Sequence, residues 1–264
     1  MTQVVVSGAA GRLGRRIVAR ALADERLQVA AALVRSTSAV DGRAVDTVVG
    51  EVGGGLTFSS DEAAIAEGRV LVEVATKAAA LAHAARAAEV GAPLLMATTG
   101  FDAAERATLE GYAAKIPVVI APNLSMGIAV LTDLVKRASK ALAAYDLEIL
   151  ELHHNKKRDA PSGTAWALGR AAAEAREQDI ERDAICARAG ETGARGREEI
   201  GMMAIRGGDI IGEHTVYLVS DTERVELTHR AATRDTFAAG AIAAAHFLGN
   251  AGAGLYTMND VLGL

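Results

Sequence analysis

Apolar residues along this chain come first in short blocks and later in alternation, and the change divides it in two. Val4-Val5-Val6 and the runs at 27–33, 70–75, 93–98 and 116–121 are short and almost uniformly apolar. Between them lie stretches of helix formers, one running to about Ala23 and others at 77–90 and 102–114. Buried strands alternating with helices predict a parallel, doubly wound sheet, with ligands at the carboxyl ends of its strands.

After Ser125 the pattern changes. A helix is predicted at 127–142, and residues 146–152, Asp-Leu-Glu-Ile-Leu-Glu-Leu, take up from Leu147 the two-residue period of a strand with one buried face. That strand runs into His153 and His154, which the alternation sends to opposite faces. Ser162 is placed to cap a helix over 165–176, and a glycine- and arginine-rich loop is expected at 188–201. Strands follow at 202–205, 212–219 and 224–230, the last two joined by a Ser220-Asp221-Thr222-Glu223 turn, which implies a mixed sheet. A last Ala-rich helix at 236–248 is expected to return to the first domain. The expected division is therefore 1–125 plus 235–264 against 126–234, an α/β fold whose second domain is α+β, with hinges for closure near Ser125 and Arg234.

Length and composition agree with two domains. At 264 residues the chain is near the size at which one core splits into two, and half its residues are apolar. Cys186 is its single cysteine, which excludes an internal disulfide framework and suits a reducing compartment. The start shows neither a charged leader nor a long apolar core, and no window approaches the ~18 apolar residues of a membrane span, so a cytoplasmic protein without a membrane partner is expected. A net charge of −5 speaks against a nucleic-acid surface.

The first strand runs into Ser7-Gly8-Ala9-Ala10-Gly11-Arg12-Leu13-Gly14 and then a helix. Strand, glycine turn and helix form the context of a Rossmann dinucleotide fingerprint, here spaced G-x-x-G-x-x-G, so Gly8 to Leu13 are candidate cofactor contacts. A carboxylate for the ribose hydroxyls is expected at the end of the second strand, where this chain has Val34. Arg35 and Ser36-Thr37-Ser38 follow and suit a 2′-phosphate, which the missing carboxylate no longer repels; the lesser alternative is that Arg35 stacks on the adenine or faces water. NADPH is thus the expected cofactor, with NADH as an alternative. Later strand ends carry Ala75-Thr76-Lys77, Ala97-Thr98-Thr99 and Ala121-Pro122-Asn123-Leu124, placed to line the nicotinamide half.

The densest chemistry lies in Glu151 to Ala165, E-L-H-H-N-K-K-R-D-A-P-S-G-T-A. Two imidazoles and the cations Lys156, Lys157 and Arg158 stand directly before a helix that opens with Gly163 and Thr164. First-turn amides and the helix dipole favour an anion there, so this is read as a site for a small dianion beside a proton donor. A metal site is not expected: His153 and His154 diverge, no H-E-x-x-H occurs, and cysteine is scarce.

These segments carry a resemblance. G-A-A-G-R-L-G at 8–14, T-T-G-F at 98–101, A-P-N-L-S-M-G at 121–127, the His-His to Ser-Gly-Thr block, and R-G-G-D-I-I-G-E-H-T-V at 206–216 together resemble the 4-hydroxy-tetrahydrodipicolinate (dihydrodipicolinate) reductase family of bacterial diaminopimelate and lysine synthesis. The resemblance implies acid/base catalysis by His153, proton donation by Lys157, and a cyclic dicarboxylate held by His154 and the amides of Gly163 and Thr164. It also implies a dinucleotide-binding first domain, a second domain for substrate binding and oligomerisation, and a homotetramer. Departures from the family pattern fall around the cofactor, at Val34, at Glu73-Val74-Ala75 and at Ala97. A short-chain dehydrogenase is disfavoured, because no tyrosine has a lysine four residues on. A non-catalytic dinucleotide sensor would not need the proton donor, and Asn123-Leu124-Ser125-Met126-Gly127 lacks the first glycine of a hydrolase nucleophile elbow.

Overall fold

The computed structural model describes residues 1–50 and 54–264. In chain order the elements are β1 (Thr2–Ser7), α1 (Arg12–Ala23), β2 (Leu27–Leu33), α2 (Asp46–Val49), β3 (Phe58–Ser59), β4 (Arg69–Glu73), α3 (Lys77–Val90), β5 (Leu94–Met96), α4 (Ala103–Gly111) and β6 (Pro117–Ile120). There follow α5 (Met126–Ala141), β7 (Asp146–His153), α6 (Gly163–Ala175), α7 (Ile180–Asp183), β8 (Ala184–Ile185), β9 (Ile200–Arg206), β10 (Glu213–Val219) and β11 (Arg224–Arg230). The chain closes with α8 (Asp235–Leu248), β12 (Gly254–Tyr256) and α9 (Met258–Leu262).

It divides into two compact units, Met1–Met126 with Asp235–Leu264, and Gly127–Arg234. Among the described residues the first unit holds a seven-stranded sheet in the order β12-β6-β5-β4-β1-β2-β3. Every ladder in it is parallel, as the blocks of apolar residues require. Val5, Leu71, Leu94 and Val118 form one core with the alanines of α3, whose small side chains let that helix lie close on the sheet. α8 packs against α1 within this unit. The fold is Rossmann-like, and β3 and β12, each too short for a readable period, extend the predicted sheet at both edges.

The second unit holds a five-stranded sheet in the order β11-β10-β7-β9-β8. β10 is antiparallel to both neighbours, while β7, β9 and β8 run parallel, so the sheet is mixed. One face carries Leu147, Ile149, Ile200, Met202, Val216 and Leu218, which pack with Ala165, Leu168 and Ala172 of α6. Several boundaries differ from the sequence reading by a residue or two, and two of them have a structural cause. β9 begins at Ile200, inside the expected loop, because Gly201 has a structural role in the strand: a Cβ there would fall 1.7 Å from the Glu148 carboxylate, which Arg188 and Arg195 hold in place. β7 ends at His153, so the alternation stops before His154, which opens the following turn.

Candidate active site

The apolar face of the second sheet turns polar at one end. Continuing the registers that place Leu147, Ile149 and Met202 on one face, the same face carries Glu151 and His153 on β7, Ala204 and then Arg206 on β9, and His214 opposite Glu151 on β10. The period read from Leu147 thus leads to a carboxylate at its third step, and Glu151 is fully buried. His153 Nδ1 is hydrogen-bonded to Glu151 Oε2. Arg206 donates to both carboxylate oxygens, at 2.8 and 2.7 Å, and the Ser162 amide donates to Oε1 at 3.0 Å. Burial alone would raise this carboxyl; the hydrogen bonds and charges of His153 and Arg206 more than offset it and bring it down to about 2.

Ser162 caps α6 as expected, its Oγ accepting from the Ala165 amide at 3.1 Å. The same Oγ lies 3.1 Å from His214 Nε2. Burial foremost, with His153 nearby, lowers His214 to about 4 and keeps it neutral at pH 7. The rings of His153 and His214 meet edge to face at 5.2 Å. Gly212 leaves room for this, since a Cβ there would stand 2.9 Å from His153 Nε2.

The basic loop is tied down by its backbone. The Gly207 amide donates to the His153 carbonyl and the Asn155 amide to that of Gly208. Lys157 Nζ lies 2.9 Å from each oxygen of Asp159, and this hydrogen bond holds the Asp159 carboxyl below its usual range. Arg206 Nη2 donates at 2.7 Å to the Asp159 carbonyl. His154 Nδ1 accepts from the Lys156 amide at 3.2 Å. Gly163 is exposed and Thr164 half-buried at the start of α6. His153, Lys157 and the Gly163–Thr164 turn are therefore joined through Glu151, Arg206 and Ser162. Glu151, Arg206 and His214 carried no sequence signal beyond membership of the quoted motifs.

In the first unit a cleft of about 650 Å³ opens above the glycine turn. Gly8, Ala10, Gly11 and Arg35 line it, with Ser36, Ser38, Ser60, Glu62, Val74, Ala75, Thr76 and His83. Gly8 has φ +73°, and a Cβ on Gly14 would fall 2.1 Å from the Gly8 carbonyl oxygen, so the turn and helix meet as a fingerprint requires. Gly11 caps α1 without a side-chain bond, leaving first-turn amides for an anion. The cleft and its cradle fit a dinucleotide. Ala9 is buried beneath, Arg12 and Leu13 begin α1, and Ala97, Thr98, Thr99, Ala121, Pro122, Asn123 and Leu124 follow β5 and β6 outside this lining. Thr98 Oγ1 donates to the Ala75 carbonyl at 3.1 Å. His83, absent from the sequence reading, bonds through Nδ1 to buried Glu73 at 2.7 Å, and Nε2 lies 3.4 Å from Glu62. The Glu73 bond raises His83 against the opposing effect of burial.

Family models match in two adjoining pieces: dihydrodipicolinate reductase N-terminus over residues 2–124, and dihydrodipicolinate reductase C-terminus over residues 127–262. The chain belongs to the dihydrodipicolinate reductase family. Sequence and structure differ slightly on where the parts divide, since the family's C-terminal segment runs on to 262 while the chain rejoins the first unit at Asp235. A 4-hydroxy-tetrahydrodipicolinate reductase of Anaeromyxobacter sp. (strain Fw109-5) is 45% identical, covering 100% of this chain and 98% of its own. One from Geobacter sulfurreducens is 42% identical over the whole of both chains. Among solved structures, a dipicolinate-bound dihydrodipicolinate reductase from Paenisporosarcina sp. TG-14 superposes with a TM-score of 0.76 at 18% identity, covering 97% of each chain, a likeness of fold. Among the described residues no helix is long and apolar enough to cross a membrane.

Proposed function

We propose that this protein reduces 4-hydroxy-tetrahydrodipicolinate to tetrahydrodipicolinate in diaminopimelate and lysine synthesis, the 4-hydroxyl leaving as water to give the conjugated ring that takes up the hydride and a proton. The observation that carries the reading is the network joining His153, the Lys157 loop and the Ser-Gly-Thr helix start through one buried carboxylate, in a chain of this family. Gly163 and Thr164 amides and His154 bind the two carboxylates of the ring. Reduced nicotinamide dinucleotide, when bound, supplies the hydride. Lys157 stands by the ring, offsets the negative charge that develops there and delivers the proton, while His153 serves in acid/base exchange. A preorganised cation in this role is worth about 3 kcal/mol of transition-state stabilisation.

The glycine turn holds the pyrophosphate, and the strand-end residues Ala97 to Thr99 and Ala121 to Leu124 border the nicotinamide. NADPH is preferred and NADH accepted, on the strength of Arg35, Ser36, Ser38 and Ser60 in the cleft. Glu62 in the same lining works against the 2′-phosphate and keeps the preference modest. The reading extends to a cytoplasmic homotetramer. Leu150, Leu152, Met203 and Ile205 on the face of the second sheet opposite α6 supply apolar surface for subunit pairing, and sedimentation reads the assembly directly.

The test is a coupled assay with freshly generated substrate, following loss of the reduced nicotinamide absorbance with each cofactor. Turnover with both, at a higher kcat/KM for NADPH, is expected. No oxidation with either removes the proposed activity, and equal efficiency removes only the preference.

A further inference from the structure

The proposed chemistry uses His153, Lys157 and the start of α6, and gives Glu151 no part, although a fully buried charge is costly unless it is completely partnered. Its partners are informative. Oε2 receives His153 Nδ1 and Arg206 Nη1; Oε1 receives Arg206 Nη2 and the Ser162 amide. Arg206 Nη2 reaches further, to the Asp159 carbonyl in the segment whose carboxylate holds Lys157. Each arm ends on one of the elements that the reaction needs. A pair that served stability alone would have no reason to end on all three.

We infer that Glu151, with Arg206, is the positioning residue of this active site: it fixes His153 as the form protonated at Nδ1 and holds that ring in register with the Lys157 loop and the Ser162 cap. An ionised carboxylate can only accept, so the imidazole nitrogen facing it must donate. With Nδ1 so engaged, Nε2 is the nitrogen left for proton exchange, in the space that the missing Gly212 side chain keeps open. The Ser162 amide on the other oxygen aligns the first turn of α6 with the same group. The inference rests on the proposed role of His153 in acid/base exchange, and it adds the residue through which that role is oriented.

Two measurements test it. In the full chain carrying ¹⁵N-histidine, with His153→Ala used to assign the signal, His153 Nδ1 is expected to bear the proton near neutral pH. A pyridine-like Nδ1 would overturn the inference whatever activity the enzyme shows, and this reading needs no Glu151 variant to fold. Kinetically, Glu151→Gln is expected to lower kcat about 100-fold with cofactor affinity unchanged, while Glu151→Asp recovers part of the loss. In a His153→Ala background the same Glu151→Gln change is expected to cost about 10-fold or less, because the part of its effect that runs through that ring is already lost and only the part through the Ser162 cap and the Lys157 loop remains. Losses that simply multiply would sink the positioning role. Absence of reductase activity in the unaltered protein would instead remove the proposed function and leave the NMR result to stand or fall alone.

Discussion

Lys157 is held ready but not sealed in: its ammonium spans both oxygens of Asp159, with its side chain one-fifth exposed. A surface partner of this kind is weak and is readily exchanged for an anionic substrate. Lys157→Ala should therefore lower turnover about 100-fold or more while cofactor affinity, measured by fluorescence titration, stays nearly unchanged. Undiminished kcat in the variant would remove Lys157 from the proton-donor role. The basic cluster of Lys156, Lys157 and Arg158 was legible because its cue is local, cations between a strand end and a helix start, whereas the choice of Lys157 among them came from the family resemblance. Arg206 and His214 were not, since only sheet pairing brings them beside β7 from later in the chain. Glu151 was passed over for a different reason. A glutamate in an alternating strand reads as the wet face, although the period of Leu147 and Ile149 lands on it, and the structure shows it fully buried.

At the scale of elements, the helix that begins the proposed anion site is capped by one hydroxyl. Ser162 Oγ both caps α6 and meets His214 Nε2, so Ser162→Ala removes a cap and strips a buried imidazole of a partner. The expected cost is roughly 2 kcal/mol, about 1 from the cap and the rest from the unpaired ring. Chemical denaturation reads it as a lowered midpoint with unchanged slope, and KM for the dicarboxylate should rise as the Gly163 and Thr164 amides lose alignment. A midpoint equal to that of the unaltered protein would show that the cap is dispensable. The element itself was readable from sequence, as were β2, α3 and β11, each long enough to show its period. α2, β3, α7, β8 and β12 were not, because two to four residues cannot display a period and their pairing is set by distant strands. Gly201 misled in its own way. A strand glycine looks like loop punctuation until the Glu148 carboxylate above it is seen to need the space.

For the whole molecule, the buried polar end of the second sheet sets how the fold responds to acid. His214 falls from 6.5 in the unfolded chain to about 4 when folded, so between those values the unfolded state binds more protons. Stability must therefore decline as pH drops from about 6.5 towards 4, by up to about 3 kcal/mol from this group. Glu151 continues the trend, because its contribution, present above 4.5, is lost as pH falls towards about 2. His83 has the opposite sign: raised in the folded state, it contributes in full below 6.5 and loses that contribution as pH rises, so it adds no slope on the acid side. Trp166, the single tryptophan, lies on α6 in the unit that holds His214 and Glu151, so its fluorescence reports that unit. Its thermal midpoint should fall steadily from pH 7 to pH 4.5. His214→Gln, which cannot take up the proton, should flatten that fall even if it begins from a lower midpoint. An equally steep decline in the variant would mean that the acid sensitivity resides elsewhere, and that His214 is not the group whose charging loosens the sheet.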